Sequence, residues 1–173
     1  MEETPTVTLE ARVCRVEDWQ AWRDLRLRSL ADSPHAFGST LEREQAFTDD
    51  EWRGRVAGWT DPDDDVAGPA VLVLAGDEPV GMGGGFHDLP GMLHVVAMWT
   101  DPAWRGRGVG RLVLDTLRAW ADERALRLHL DVEASNTGAR RLYERYGFEA
   151  TGDSRPLRPG STYSCDRMVL RRG

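Results

Sequence analysis

Apolar and polar positions recur along the chain with two periods, and together they predict a mixed α/β fold. Two short apolar runs, 70–75 and 80–86, flank the turn residues 76–79 and predict a β-hairpin, because clusters of Gly, Asp and Pro bound strands in this way. A third apolar run, 93–100, ends at Asp101-Pro102. The three runs therefore predict an antiparallel meander.

Apolar residues spaced three and four apart predict amphipathic helices on both sides of the meander. Before it, one helical stretch begins at Asp18 and a second at Thr48, which is followed by acidic residues suited to a first turn. After it, the segment that begins at Val109 has the same spacing. Asn136 is the expected N-cap of a short helix that ends at Gly147.

The order of elements after the meander predicts a parallel strand pair. A glycine-rich turn and a helix lead to residues 126–133, where apolar and polar residues alternate as in a strand with two different faces. Such a strand–helix–strand unit makes a parallel crossover. A first strand over 7–16 and last strands over 148–152 and 163–170 complete the sheet. Because no linker or repeat interrupts the chain, we expect residues 1–173 to form one domain with a central mixed sheet flanked by helices.

The composition disfavours several classes of partner and site. The formal net charge is −7, which argues against nucleic acid and anionic membranes as partners. No apolar run approaches the roughly 18 residues of a membrane span, and the first residues are polar and acidic, so we expect a cytoplasmic protein. Cys14 and Cys165 lack Cys-x-x-Cys or Cys/His spacing, so neither a metal site nor a disulfide is expected.

The segment Trp99–Asp115, WTDPAWRGRGVGRLVLD, joins the third apolar run to the next helix through three glycines and three arginines. A helix N-terminus carries unpaired N–H groups and a partial positive charge, and glycines let an anion approach both. Arg105, Arg107 and Arg111 add forked donors that match phosphate oxygens. We therefore predict that residues 105–111, the glycine joint, bind phosphate.

Two common phosphate-binding motifs do not match the glycine joint. A P-loop needs Gly-x-x-x-x-Gly-Lys-Ser/Thr, and the chain contains no lysine, so a nucleotide triphosphatase is excluded. A dinucleotide-binding turn needs Gly-x-Gly-x-x-Gly directly after a strand. Here Gly106, Gly108 and Gly110 are spaced by two and residues 101–105 intervene, which disfavours that class.

The pattern that matches is Arg/Gln-x-x-Gly-x-Gly/Ala, present as residues 105–110 in the setting strand, proline, loop and helix. It resembles the acyl-coenzyme A pyrophosphate loop of the GNAT superfamily of N-acetyltransferases. Farther along, Asn136, Leu142-Tyr143-Glu144 and Tyr146-Gly147-Phe148 resemble that family's Asn, Leu-Tyr and Gly-Phe segment. Both motifs occur in the expected order within residues 93–148, so the resemblance implies the GNAT α/β fold.

The resemblance also implies a site for acetyl-coenzyme A (acetyl-CoA) and no metal. In proteins of this kind, the last meander strand parts from the next parallel strand, and the pantetheine arm pairs with main chain in the opening. The pyrophosphate lies on the glycine loop. By this resemblance, the cofactor-binding residues are Met98, Trp99, Thr100, Arg105, Gly106, Arg107, Gly108, Val109, Gly110, Arg111, Asn136 and Tyr143.

The same resemblance implies the catalytic groups. Tyr143 matches the general acid that protonates the departing thiolate, although its helical spacing alone fits a core aromatic. Asp131 lies where some relatives have a glutamate base, and because aspartate is shorter, Glu133 or a relayed water are the alternatives. A backbone N–H near Met98 or Thr100 is expected to stabilise the oxyanion.

Histidine is a further type of candidate base, and the chain has His35, His87, His94 and His129. None of them belongs to a nucleophile motif, and a lone histidine is more often structural. Direct transfer in a ternary complex is therefore expected rather than a covalent intermediate.

The acceptor amine is expected to contact the parts of the chain that match the family least. These are the two N-terminal helices with residues 33–38, the turn 86–92 and the loop 157–163. Three tryptophans are candidates for the pocket wall, Trp52, Trp59 and Trp99. The acidic segment 61–65 is a candidate for attracting a cationic acceptor, or else a solvated loop.

We therefore predict an N-acetyltransferase that moves an acetyl group from acetyl-CoA to a primary amine of a small molecule or peptide. The alternative is a non-catalytic acyl-CoA-binding or sensing module on the same fold, in which the glycine joint would matter and Tyr143 would not. Tyr143, Asn136 and Asp131, in register with the joint, favour the enzyme. The identity of the amine and the formation of a homodimer are left open.

Overall fold

The computed structural model describes residues 7–61 and 67–173. Within them seven β-strands are formed, β1 (Leu9–Val13), β2 (Ala70–Ala75), β3 (Glu78–Phe86), β4 (Met92–Thr100), β5 (Arg127–Glu133), β6 (Phe148–Pro156) and β7 (Ser164–Leu170). The same residues form five α-helices, α1 (Trp19–Asp32), α2 (Leu41–Gln45), α3 (Asp49–Thr60), α4 (Val109–Asp122) and α5 (Thr137–Tyr146). Of the acidic segment 61–65, residues 62–65 lie outside the described residues.

All seven strands form one mixed sheet in the order β1-β2-β3-β4-β5-β7-β6. Strands β1 to β4 pair antiparallel with their neighbours, β4 and β5 pair parallel, and β7 lies antiparallel between β5 and β6. The parallel pair is joined through α4, as the strand–helix–strand order predicts. The predicted fold class, an antiparallel meander followed by a parallel crossover, is confirmed.

Helices cover both faces of the sheet. On one face, α4 buries Val109, Val113 and Leu117 against apolar side chains of β2, β4 and β5, and α5 packs beside it. On the other face, helices α1 and α3 bury Trp22 and Trp52. Strand β2 lies between these two layers and is therefore buried on both sides. Among the described residues, no helix is both long enough and apolar enough to cross a membrane.

Most predicted elements are present, and the differences fall on short or exposed segments. Thr48 and Glu51 form a capping box at the start of α3, and Asn136 Oδ1 accepts a hydrogen bond from Ala139 N (3.2 Å) at the start of α5. Helix α2 was not predicted, because its five residues are too few to show a helical period. The predicted strand 148–152 is shorter than β6, because β6 is exposed along nearly all of its length and shows no alternation of apolar and polar residues.

Strand β3, EPVGMGGGF, contains four glycines, and they let helices approach both of its faces. A Cβ atom at Gly83 would lie 2.7 Å from Met98 Sδ and closer still to Val113 Cγ1 of α4. A Cβ atom at Gly84 would overlap the Trp59 ring at the end of α3. The glycines therefore seat α4 and the end of α3 close to the sheet.

Gly83→Ala is expected to lower the free energy of unfolding by about 1–3 kcal/mol, the usual cost of overpacking a core. The new methyl group meets Val113, which is β-branched and has little freedom to move aside. Urea denaturation measures the difference. Gly54→Ala is the control, because a Cβ atom at Gly54 in α3 meets nothing within 4 Å and alanine favours a helix. If Gly83→Ala has the same free energy of unfolding as the native protein, α4 does not pack this closely on β3.

Candidate active site

Strands β4 and β5 part halfway along their length. Their parallel pairing joins Met92–Val95 to Arg127–Leu130. Beyond it, the register of β4 against β3 shifts between Val96 and Trp99, and Ala97 has a φ of +56°, which marks a β-bulge. A bulge bends its strand, so β4 turns away from β5 and a cleft opens between the second halves of the two strands.

The residues predicted to border the donor lie in this second half of β4. Met98 lines the cleft. The Trp99 ring is buried on the α1 side, where its Nε1 donates a hydrogen bond to Asp32 (3.0 Å). Thr100 O accepts a hydrogen bond from Arg105 Nε (3.1 Å). Trp99 therefore borders the cleft with its main chain and not with its side chain.

The glycine joint leads into the N-terminus of α4. Gly106 and Gly108 have φ values of +73° and +85°, in the left-handed region that favours glycine. The first hydrogen bond of α4 runs from Leu112 N–H to Gly108 O, and no side chain among the described residues caps this end. The N–H groups of residues 109–111 therefore remain for an anion, where the helix dipole adds positive charge.

The three arginines of the glycine joint have different surroundings. Arg105 donates from a terminal guanidinium nitrogen to Asp32 Oδ2 at the end of α1 (2.6 Å), which holds the joint against α1. The Arg107 guanidinium lies over the Trp104 ring, 4.9 Å from its centroid. The Arg111 side chain is 73% exposed, and its Nε lies 3.9 Å from Asp115 Oδ2 in a loose ion pair on the helix surface. Arg111 is therefore a better placed phosphate ligand than Arg105, whose predicted phosphate contact requires breaking the Asp32 ion pair.

Helix α5 brings Asn136 and Tyr143 to the same cavity as Met98. Asn136 Oδ1 caps α5, so the amide nitrogen is the group that remains for a ligand. The Tyr143 ring is 7% exposed and packs edge-on against Phe148, with centroids 5.8 Å apart. Burial raises the pKa of the Tyr143 phenol, which therefore stays protonated at neutral pH and suits a proton donor.

A cavity of about 350 Å³ connects the cleft with the layer of helices α1 to α3. Its aromatic lining comes from Trp22, Phe37, Trp52, Trp59 and Phe86. Residues 36–39 and Leu157 also line it, so parts of all three segments predicted for the acceptor reach the cavity. Of the tryptophans predicted as walls, Trp99 is absent from the lining, because its ring lies on the α1 side.

Asp131, the predicted base, is held by two arginines. Its Oδ1 accepts a hydrogen bond from Arg167 Nε (3.0 Å), and its Oδ2 pairs with Arg155. Burial raises the pKa of this carboxyl, but the hydrogen bond from Arg167 and the charge of Arg155 outweigh burial and hold the pKa below the usual range. A carboxylate stabilised in this way is a weak base, so these contacts argue against the predicted role of Asp131.

Glu133, the predicted alternative, lines the same cavity and is 7% exposed. Its Oε2 accepts hydrogen bonds from the hydroxyl (2.5 Å) and the N–H (3.1 Å) of Ser135. These donors are neutral, and no arginine forms an ion pair with Glu133 in the described residues.

Two histidines that the sequence analysis treated as structural also meet here. His94 and His129 are partners in the parallel pairing of β4 and β5, and their rings stack with centroids 4.5 Å apart. Both contact Asp88 in the loop between β3 and β4, and His94 lines the cavity. His129 and Asp131 alternate with apolar residues along β5 and therefore share one strand face, which was a sign of this cluster in the sequence. The register that sets His94 beside His129 is not readable from either strand alone.

The fold and the site together define a class of protein. The one parallel pair of the mixed sheet splays open. The uncapped N-terminus of α4 lies beside this opening, and the protonated Tyr143 lies within it. This is the arrangement expected of an acyl-CoA-dependent acyltransferase. The family model described as "Acetyltransferase (GNAT) family" matches residues 18–148. The chain belongs to the GNAT acetyltransferase family, as the resemblance in the sequence implied.

The curated relatives include proteins named mycothiol acetyltransferase from several bacteria. The chain is 34% identical over 137 residues to the protein from Nocardiopsis dassonvillei, a match that covers 76% of this chain and 39% of the relative. It is 33% identical over 158 residues to the protein from Thermobifida fusca, covering 82% of this chain and 44% of the relative. The chain thus spans less than half the length of these relatives.

Solved structures of GNAT acetyltransferases have the same fold. The GNAT-family acetyltransferase of Streptococcus pneumoniae superposes with a TM-score of 0.74 at 18% identity, covering 94% of this chain and 100% of that chain. YncA of Salmonella typhimurium, solved with its cofactor acetyl-CoA, gives a TM-score of 0.73 at 17% identity, covering 94% and 93%. At these identities the likeness concerns the fold alone.

Proposed function

We propose that the chain is an N-acetyltransferase that transfers the acetyl group of acetyl-CoA to a primary amine. The observation that carries this proposal is the proximity of three features in the fold. They are the part of β4 that leaves its pairing with β5, the N–H groups at the start of α4, and the buried phenol of Tyr143. Two of them share the cavity, and the third, the start of α4, lies beside it, where a Cβ atom at Gly110 would be 2.8 Å from Leu142 Cδ2. Membership in the GNAT family and the acetyl-CoA bound in the similar Salmonella structure support it.

The acetyl donor is proposed to lie along the cleft. Its pyrophosphate would accept hydrogen bonds from the N–H groups of residues 109–111, and the arginines of the glycine joint would add positive charge. The pantetheine arm would pair with the main chain of residues 98–100 and receive a hydrogen bond from the Asn136 amide. The thioester would then reach the cavity beside Tyr143.

Transfer is proposed to occur directly between the donor and the amine. The amine nitrogen attacks the thioester carbon, and the resulting oxyanion accepts a hydrogen bond from a backbone N–H of β4 beside the bulge at Ala97. When the C–S bond breaks, the Tyr143 hydroxyl protonates the thiolate of coenzyme A. Because one cavity would hold both reactants, positioning is proposed to supply much of the rate.

The acceptor is proposed to be a primary amine whose body fits the aromatic lining of the cavity. Its ammonium group would face the sheet side, where the charge of Glu133 is not neutralised by an arginine among the described residues. The name of the curated relatives, mycothiol acetyltransferase, suggests mycothiol lacking its acetyl group as the first acceptor to test.

Mass spectrometry of the acetylated amine tests the proposal. Purified protein is incubated with acetyl-CoA and one of four amines: mycothiol lacking its acetyl group, L-cysteinamide, a peptide with an N-terminal serine, or spermidine. The proposal expects time-dependent acetylation of at least one amine. Binding of acetyl-CoA without acetylation of any amine would contradict the proposal and favour the non-catalytic acyl-CoA-binding module.

A further inference from the structure

A buried polar network runs from the loop between β3 and β4 to the cavity. Asp88 in that loop contacts both imidazoles, with Oδ1 2.7 Å from His129 Nε2 and Oδ2 3.0 Å from His94 Nδ1. His94 Nε2 in turn lies 3.5 Å from Asp131 Oδ2. The side chains of His94 and Asp131 are each 6% exposed, whereas that of Asp88 is 22% exposed. The network therefore joins the cavity to solvent through one partly exposed carboxylate.

The cluster of Asp88, His94 and His129 also has the side-chain types of a metal site, with candidate ligand atoms within 4.8 Å of one another. Two ligands of one tetrahedral zinc ion would stand roughly 3.3 Å apart. The contacts to Asp88, at 2.7 and 3.0 Å, are shorter and have the length of hydrogen bonds. A metal-bound histidine also donates its second N–H, and His129 Nδ1 has no partner among the described residues. These contacts are those of imidazole N–H groups donating to a carboxylate.

The surroundings of each ring nitrogen decide which histidine can take up a proton. A proton on His129 Nδ1 would be a buried donor without an acceptor in the described residues, so the neutral form of His129 has its proton on Nε2, which donates to Asp88. His94 has a carboxylate near each nitrogen, Asp88 at Nδ1 and Asp131 at Nε2. An imidazolium is therefore stabilised on both sides at His94 and on one side at His129.

In the resting protein, His94 is neutral and faces several charged or titratable groups. These are Asp88 from the loop before β4, His129 and Asp131 from β5, Arg155 from β6 and, through Asp131, Arg167 from β7. Burial is the largest cause that lowers the pKa of His94 below its ordinary value, and the pKa stays lowered despite the two carboxylates. With its one proton on Nδ1 toward Asp88, His94 keeps a lone pair on Nε2.

We propose that His94 accepts the proton that the acceptor's ammonium group must lose, and that Asp88 passes this proton to solvent. The role rests on the N-acetyltransferase function proposed above, because an amine acceptor is what releases such a proton. Asp131, kept ionised by its two arginines, is then a positioning residue beside His94 Nε2 rather than the base, while Glu133 attracts the ammonium group.

The protons balance in this scheme. At neutral pH the acceptor is R–NH3+, and its acetylation yields the amide, the thiol of coenzyme A and one proton. One N–H proton moves to His94 Nε2 while the Nδ1 proton moves to Asp88 and on to water. After product release, Nε2 gives its proton to water in the open cavity and Nδ1 takes one back through Asp88, which restores the resting tautomer. A second N–H proton replaces the one that Tyr143 gives to the thiolate, and the third stays on the amide. The C–N bond forms and the C–S bond breaks without an oxidant or reductant.

Nitrogen-15 NMR of the histidine rings tests the proton positions without turnover. At neutral pH we expect His94 to be protonated on Nδ1 with a bare Nε2, and His129 to be the opposite tautomer, with assignments made from His94→Gln and His129→Gln. A His94 that carries its proton on Nε2 overturns the proposal. Zinc chloride is expected to leave the melting temperature unchanged. A saturable rise that His129→Gln abolishes would replace the proposal with a metal site.

Turnover tests the proton transfer itself, with mycothiol lacking its acetyl group as the amine. His94→Gln keeps a donor for Asp88, and we expect it to lower kcat/KM at least about tenfold at neutral pH, toward the range of general base catalysis. The loss should become smaller as the pH rises through about 7.7–8.0, the ordinary pKa of α-amino groups, because more of the amine then binds in its neutral form. Asp88→Asn should show a smaller loss with the same pH dependence. His87→Gln is the matched control, because His87 contacts Trp120 and belongs neither to the network nor to the lining of the cavity.

Two results of the turnover experiment overturn the proposal. One is native kcat/KM in His94→Gln at neutral pH, and the other is a loss that is equal at every pH, which indicates a structural role. Calorimetric titration with acetyl-CoA, expected to be unchanged in all the variants, separates these results from misfolding. If the native protein acetylates none of the four amines, the proposed function fails. The nitrogen-15 measurement then still decides whether His94 presents a bare Nε2.

Discussion

Tyr143→Phe is expected to lower kcat by roughly ten- to a hundredfold and to leave acetyl-CoA affinity nearly unchanged. The substitution removes one hydroxyl from a ring that remains packed against Phe148. Burial raises the pKa of the phenol, so Tyr143 carries a proton for the departing thiolate. Without that proton donor, cleavage of the C–S bond slows, whereas the main chain and helix N-terminus proposed to hold the donor are untouched.

Tyr146→Phe is the matched control for this experiment. Tyr146 lies three residues farther along α5 and donates its hydroxyl to Asp115 of α4 (2.8 Å). Its substitution removes a hydroxyl of the same kind outside the cavity, so native turnover is expected. Steady-state rates and calorimetric titration with acetyl-CoA are measured on both variants. Native turnover in Tyr143→Phe would remove Tyr143 from the mechanism.

Gly108→Val is expected to weaken acetyl-CoA binding about 10²-fold, which corresponds to roughly 3 kcal/mol. Gly108 has a φ of +85°, where a β-branched residue is strained, and its carbonyl accepts the first hydrogen bond of α4. A valine that relaxes to negative φ turns the N–H groups of residues 109–111 away from the pyrophosphate. Hydrogen bonds to charged groups contribute about 1.5–3 kcal/mol each, so the loss of one or two accounts for the effect.

Gly76→Val separates backbone strain from loss of the binding loop. Gly76 has a φ of +62° in the hairpin between β2 and β3, and at both glycines an added Cβ meets nothing within 4 Å. The two variants should therefore be destabilised to a similar degree in urea, and Gly76→Val should keep native affinity for acetyl-CoA. Calorimetric titrations at one temperature compare them. Equal losses of affinity would mean that general strain, and not the glycine joint, controls binding.

Local patterns predicted most of the fold, because caps and periodicity act within a few residues. The box of Thr48 and Glu51 marks the start of α3, and the apolar spacing after Val109 marks α4. Helix α2 has five residues, fewer than two turns, and so carries no period. Strand β6 is exposed on both faces, so no alternation of apolar and polar residues marks its length.

The candidate site was predictable where a motif fixes spacing along the chain, and not where it depends on pairing across the sheet. Motif spacing along the chain predicted the glycine joint, Asn136 and Tyr143. The partner of Arg105 is Asp32, 73 residues away, and the arginines that bind Asp131 come from two later strands. The bulge that opens the cleft rests on positive φ at an alanine, for which the sequence carries no signal.

Thermal melting with and without acetyl-CoA tests most directly the central claim, that the cleft between β4 and β5 binds this donor. A ligand that binds the native state alone adds about 2.7 kcal/mol of stability at a hundredfold excess over its Kd. The account predicts a saturable rise in Tm with acetyl-CoA, retained in Gly76→Val and largely lost in Gly108→Val. An unchanged Tm of the native protein at millimolar acetyl-CoA would contradict it.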